Sequence, residues 1–361
     1  MDTTAVAPRD GPSFAALMIV ACLTVWGSTA QARTLSVCKA NCTYSSVQRA
    51  IDAAASGDTI NVGAGTYFEN LVIAGKKLTL IGAGEDLTVL DGRFGGAVIH
   101  LGAEAITAGQ SADLTLYAVT VTHGGQSGIA VHGGSLNLQN SAVVSNRQNT
   151  VDPVCGEEGG GIVVCSATAT IGKSVILHNR TTGAGGGIAA LSESSLTITD
   201  STISRNTAGD GGGIHLEQAT AKMTGSSLSD NTATGNGGAI YIAPLVLHAP
   251  PAGFLAMDAT SVVNNHAQLD GGGIWGVATF GRNAANISNS VIGRNTSGRV
   301  GGGLSGTFTF DNVFVVQNAA GASGGGIQLA PTATSLAQVG STFAGNAPDD
   351  CAGPAGACPP K

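Results

Sequence analysis

A short glycine block returns seven times along this chain, and its spacing restricts the fold more than any other feature. Gly-Gly-Gly-Ile or a close variant stands at Gly159–Ile162, Gly185–Ile188, Gly211–Ile214, Gly237–Ile240, Gly271–Ile274, Gly301–Leu304 and Gly324–Ile327. Steps between the last residues of successive blocks are 26, 26, 26, 34, 30 and 23. An aliphatic-x-x-Asn unit follows each block or precedes the next: Ile176 with Asn179, Ile203 with Asn206, Leu228 with Asn231, Val262 with Asn265. Ile292 with Asn295, Val315 with Asn318 and Phe343 with Asn346 continue the series, and a degenerate first member runs from Gly124 and Ile129 to Val143 and Asn146. A period in the twenties with small insertions describes a stacked solenoid, each unit burying its apolar edge against its neighbours.

Between blocks the chain alternates apolar with Ser, Thr or Asn, as at Leu136-Asn137-Leu138, Ala169-Thr170-Ile171, Leu196-Thr197-Ile198 and Ile287-Ser288-Asn289. Such alternation marks short strands with one face inward. Helical spacing is absent, and 55 glycines would cripple helices. The leucine pattern of leucine-rich repeats is missing too. The sequence therefore predicts an all-β, single-stranded right-handed parallel β-helix of about ten rungs, with equivalent residues about 4.8 Å apart. At that spacing the repeated Asn side chains can form a hydrogen-bonded ladder. Ahead of the repeats, Ser45-Ser46-Val47-Gln48 has capping-box spacing, and Val47, Ala50, Ile51 and Ala54 share one face of a short helix. This N-terminal capping helix covers the open end of the first rung. The expected organisation is a signal peptide over 1–32, a cap over 33–58, the β-helix over 59–347 and a tail over 348–361.

Two stretches carry a resemblance. Ser56-Gly57-Asp58-Thr59-Ile60-Asn61-Val62-Gly63-Ala64-Gly65-Thr66-Tyr67-Phe68-Glu69-Asn70 and Lys77-Leu78-Thr79-Leu80-Ile81-Gly82-Ala83-Gly84 resemble the opening of pectin-lyase-like β-helix proteins. The Gly-Gly-Ala-Ile at Gly237–Ile240 resembles the repeats of chlamydial-type polymorphic outer-membrane proteins, which pair it with Phe-x-x-Asn. Only Phe343-Ala344-Gly345-Asn346 keeps that Phe. Both resemblances imply the fold and leave the activity open, because this fold carries lyases, hydrolases, esterases, adhesins and plain surface proteins. The polymorphic family usually relies on a membrane barrel after its repeats, and none follows Asn346 here.

Phe14 to Trp26 form an apolar run followed by Ala30-Gln31-Ala32, which reads as a signal peptide cleaved before Arg33. The rival reading is a lipoprotein box at Ile19-Val20-Ala21-Cys22. Cleavage before Arg33 leaves six cysteines, whose proximity suggests the local pairs Cys38–Cys42, Cys155–Cys165 and Cys351–Cys358 in an oxidising compartment. It also leaves 15 basic and 21 acidic residues, a net charge of −6. With 11 % charged residues there is no basic stripe for nucleic acid or an anionic membrane surface. No transmembrane segment is expected in the mature chain, and the signal peptide predicts a secreted, extracellular or cell-envelope location, on the outer membrane surface or in the periplasm. Self-association of rods end to end is a further expectation from an open solenoid.

The resemblance makes missing chemistry informative. Polygalacturonases of this fold carry Asn-Thr-Asp, a paired Asp and Gly-His-Gly; this chain's only Asp-Asp, Asp349-Asp350, lies in the tail. Gly65-Thr66-Tyr67 resembles pectin methylesterases, whose later Gln and paired Asp motifs are not found. Aligning rungs on the glycine block gives two columns. The residue before each block reads Glu158, Ala184, Asp210, Asn236, Asp270, Val300, Ser323. Asp210 and Asp270 would stand about 9–10 Å apart, near the separation of an inverting glycosidase pair, and Asp210, Asn236 and Asp270 could ligate Ca²⁺, the one cofactor the column admits. Both Asp and Asn also simply suit a turn before glycine. The residue after each block reads Val163, Ala189, His215, Tyr241, Trp275, Ser305, Gln328, so His215, Tyr241 and Trp275 form an outward aromatic stripe in a chain with 4 % aromatics. Such a stripe offers sugar rings a surface, unless the insertion around Pro244–Phe254 folds over it. Arg205 and Asp230, in matching positions before the ladder Asn, suggest a surface ion pair. The reading is a non-catalytic surface protein that binds glycan or another surface component. The alternatives are a polysaccharide lyase or hydrolase and a purely structural rod.

Overall fold

The computed structural model describes residues 1, 31–102, 111–149, 156, 158–243, 253–277, 284–333 and 336–358. Ala32–Lys361 forms one compact unit. The expected signal segment, Cys22 with its rival lipoprotein reading, and most of the 244–254 insertion lie outside the described residues. No helix among the described residues is long and apolar enough to cross a membrane.

Strands stack in parallel into three long sheets of 12, 11 and 11 strands, with a short sheet of five strands beside them. Each coil visits the first sheet, the second and then the third. Strands Thr168–Gly172, Val175–Leu177 and Ile188–Leu191 are one such visit. The register is in step from coil to coil: Ile162 pairs with Ile188, Ile188 with Ile214, Ile214 with Ile240 and Ile240 with Ile274. Inward residues of the three long sheets form one continuous apolar core, from Leu35 and Val37 to Ile327 and Leu329.

Each glycine of the block meets a separate demand. The first is left-handed in every coil, for example Gly211 at φ 60° and Gly271 at φ 66°. The second has no room for a Cβ: on Gly238 it would lie 2.2 Å from the Gly272 carbonyl oxygen of the next coil. The third sits against the ladder Asn, and one coil accepts Ala239 there.

The Asn ladder runs unbroken through Asn146, Asn179, Asn206, Asn231, Asn265, Asn295, Asn318 and Asn346. Each Nδ2 donates to Oδ1 of the next Asn at 2.9–3.1 Å and to a backbone carbonyl of the coil before. Gly124 N–H supplies the first rung, and Asp350 accepts from Asn346 Nδ2 at 2.7 Å at the other end. A second ladder, absent from the sequence reading, lies at the turn between the first and second sheets. There Ser141 N–H donates to Ser174 Oγ, Ser174 to Ser201 and Ser201 to Ser226, each at 3.2 Å. The residue before either ladder is left-handed, Asp200 and Arg205 being examples. Arg205 and Asp230 both occupy such turns, and no ion pair joins them.

Both ends depart from the expected boundaries. Thr34–Val37, assigned to the cap, is the first strand of the first sheet and pairs with Thr59–Val62. Its Thr-Leu-Ser-Val alternation is too short to stand out in sequence. Helix Val47–Ala53 is capped by Ser46, which accepts from Arg49 N–H, and by Glu69, whose carboxylate accepts from Val47 and Gln48 N–H. Gln48 therefore does not complete a capping box; it bonds both backbone groups of Val72 on the edge strand. At the other end Cys351–Ala352 extends the third sheet beyond Ile327–Leu329, so the tail is part of the solenoid. Disulfides join Cys38 to Cys42 and Cys351 to Cys358. Cys165 is also disulfide-bonded, while Cys155 lies outside the described residues.

Candidate functional site

The outward face of the third sheet brings the sequence-predicted stripe together. In parallel register His215 pairs with Tyr241, Tyr241 with Trp275, and Trp275 with Ser305. Tyr241 and Trp275 stack with centroids 4.7 Å apart and planes 8° from parallel, and His215 tilts against Tyr241 at 5.3 Å. Rings one rung apart thus show their faces to each other, and the gap is too narrow to admit a sugar. Both rings are half-buried, and the neighbour of Trp275 on the next coil is the small, buried Ser305.

Burial varies along this face. Val163 and Ala189 are buried in a small apolar cluster of their own with Cys165 and Leu191. His215 follows at 4 % exposure, so the expectation that it is an exposed ring is corrected: it points out of the sheet but is covered. Tyr241, Trp275 and Gln328 are half-buried, while Ser305, between the last two, is buried at 8 % exposure.

Two acidic residues that the sequence reading did not connect to the stripe meet His215. Glu158 Oε2 lies 2.9 Å from His215 Nδ1 although 57 residues and two coils separate them. The coil between carries Ala184 and Ala189 at the matching positions, and these small side chains leave Glu158 room to cross. Glu217, next outward on the same strand as His215, brings a carboxylate so that ligand atoms of Glu158, His215 and Glu217 all lie within 4.8 Å of one another. Burial, then the charges of Asp210 and Glu217, push the Tyr241 phenol up to about 12, so it stays protonated across the physiological range.

The column before the glycine block is also in register, Glu158 bridging to Ala184 and Ala184 to Asp210. Asp210 Oδ1 accepts from Asn236 N–H at 2.6 Å, Asn236 Oδ1 from Asp270 N–H at 3.2 Å, and Asp270 Oδ1 from Val300 N–H at 3.3 Å. Arg299 Nε adds a contact to the same Asp270 oxygen at 3.4 Å. One oxygen of each carboxylate is therefore committed to holding the next turn, as the turn reading of Asp210, Asn236 and Asp270 requires. A second group of exposed rings lies elsewhere on the rod, where the Arg93 guanidinium covers Phe68 at 3.9 Å and that of Arg147 covers Phe94 at 3.8 Å.

The right handed beta helix region family matches residues 97–267. No curated protein compared with the chain matches it. Among solved structures, a pectin methylesterase from Erwinia chrysanthemi is 13 % identical, with 84 % of this chain and 92 % of that chain covered and a TM-score of 0.44. A pectate lyase is 14 % identical over 82 % of this chain and 78 % of that chain, with a TM-score of 0.48. A pectin methylesterase from Aspergillus niger is 14 % identical over 88 % of each chain, with a TM-score of 0.40. With its parallel sheets stacked coil on coil, and the family match across residues 97–267, the chain is a right-handed parallel β-helix.

Proposed function

We propose that this protein is a non-catalytic β-helix of the cell exterior or envelope that binds glycan on the outward face of its third sheet. The observation that carries the proposal is the half-buried Tyr241–Trp275 stack, in which Tyr241 fixes the indole from one side and the small Ser305 is its neighbour on the next coil. A rigid apolar ring beside polar side chains suits a sugar, whose C–H face packs on the ring while its hydroxyls find acceptors. Gln328, on the coil after Ser305, is the next polar side chain of this column, its Oε1 accepting from Ser323 Oγ at 2.7 Å. His215 acts as support beneath Tyr241 rather than as a contact surface. The competing reading, a lyase or hydrolase working through Asp210 and Asp270, is weakened by the backbone N–H groups that each carboxylate already serves.

The test is retention of the purified protein on insoluble plant, bacterial and host polysaccharides, with the supernatant analysed by mass spectrometry. Depletion by one polymer without released fragments, lost in Trp275→Ala with Tyr241→Ala while the circular dichroism is kept, is the expected result. Retention unchanged in that double variant sinks the proposal, and released oligosaccharides replace it with an enzyme.

A further inference from the structure

We propose that Glu158, His215 and Glu217 form a binding site for a zinc-class divalent transition ion. The three side chains supply one imidazole nitrogen and two carboxylates, with ligand atoms already within 4.8 Å of one another. Ligands of one tetrahedral zinc at about 2.0–2.2 Å stand about 3.3–3.6 Å apart, so side-chain rotations that draw the donors together by about an ångström close the site. The donor set selects the ion. Imidazole favours zinc and its transition-metal neighbours, and a site of three protein ligands leaves a fourth position for water.

Two features of the surroundings support the assignment independently of that list of donors. The first is placement. His215 is 4 % exposed, and Glu158 crosses the alanines of an intervening coil to reach it. A carboxylate held across two coils against a buried imidazole is a positioned group, unlike a surface acid free to turn into water. The second is charge. Two carboxylates, Glu158 and Glu217, share the one imidazole of His215, and the charge of Asp210 is felt with that of Glu217 at the neighbouring Tyr241. No Lys or Arg pairs with Glu158, Glu217 or Asp210 among the described residues. A divalent cation supplies the missing positive charge. Binding asks only that the imidazole present Nδ1 as a lone pair, its proton residing on Nε2.

The site adjoins the aromatic face through His215, but it does not rest on the glycan proposal and its test uses no glycan. The purified protein, stripped with chelator, is titrated with Zn²⁺ by calorimetry, and bound metal is counted after dialysis. One Zn²⁺ per chain is expected, with affinity reduced at least tenfold in Glu158→Gln and in Glu217→Gln. Both substitutions keep side-chain shape, and circular dichroism confirms that the coil is intact. Co²⁺ in place of Zn²⁺ should give visible absorption of low-coordinate geometry, lost in His215→Gln. Absence of stoichiometric Zn²⁺ overturns the proposal. So does a single bound Zn²⁺ whose affinity is the same in all three variants, which would place it at other donors such as His100 and His132.

Discussion

Removing one amide from the middle of the Asn ladder should cost a large share of the rod's stability. Asn231 makes four bonds: its Nδ2 donates to Asn265 Oδ1 at 3.0 Å and to the Ile203 carbonyl at 2.9 Å, and its Oδ1 accepts from Asn206 N–H and Asn206 Nδ2, both at 3.0 Å. The residue is fully buried. Asn231→Ala leaves Asn206 N–H and one of the two Asn206 Nδ2 hydrogens without an acceptor, the other hydrogen keeping its bond to the Ile176 carbonyl, where water cannot replace what is lost. At about 1–3 kcal/mol for each orphaned buried group, the loss is about 2–6 kcal/mol. Asn346→Ala, at the half-buried end of the same ladder, should cost clearly less. Asn231→Asp keeps the shape and still accepts from Asn206, but turns lone pairs toward Asn265 Oδ1 and the Ile203 carbonyl. Its carboxyl pKa is therefore raised in the folded state. The folded form gains relative stability as pH falls through that raised value, and the penalty is complete above it. Urea unfolding followed by far-ultraviolet circular dichroism at neutral and acid pH measures all three. A loss below about 1 kcal/mol for Asn231→Ala, or an Asn231→Asp variant indifferent to pH, would refute this account of the ladder.

Three further outcomes can be checked by the same melts. Gly238→Ala should fail to fold or lose at least about 3 kcal/mol, because its Cβ would meet backbone of the next coil at 2.2 Å, whereas Ala239→Gly one residue later should be mild. The Arg33 and Ala55 backbone N–H groups hold the Asp58 carboxyl below its ordinary range. Its contribution is thus present above the unfolded carboxyl pKa and lost as pH falls through the depressed value, and Asp58→Asn should flatten that acid limb. If the chain is cleaved before Arg33 as proposed, the new ammonium replaces an amide 2.8 Å from Asp58 Oδ1. A chain starting at Arg33 should then melt higher than one that keeps Ala32.

What could be read in the sequence follows from what a solenoid repeats. Each left-handed Gly, each second Gly under a carbonyl and each ladder Asn answers the same local requirement in every coil, so the requirement is written seven or eight times and stands out above the insertions. The serine ladder answers an equally strict requirement, yet its members at Ser141, Ser174, Ser201, Ser226 and Ser290 lack a conspicuous partner such as the glycine block, and they merge with the Ser and Thr of the strands. Columns of sequence also describe only what stacks on what. They placed His215, Tyr241 and Trp275 in one register, but a column of rings at rung spacing necessarily hides its faces, a consequence contained in the spacing itself. They could not show that His215 is covered, since that depends on what packs over the sheet. Nor could they bring Glu158 to His215, because a side chain that reaches across a coil leaves its own column. The available clue was negative: Ala184 and Ala189 are the small residues on the coil between them, and a gap in two adjacent columns is where a longer neighbour can lie down. In a stacked fold, the small residue on an outward face is therefore as informative about a site as the charged residues on either side.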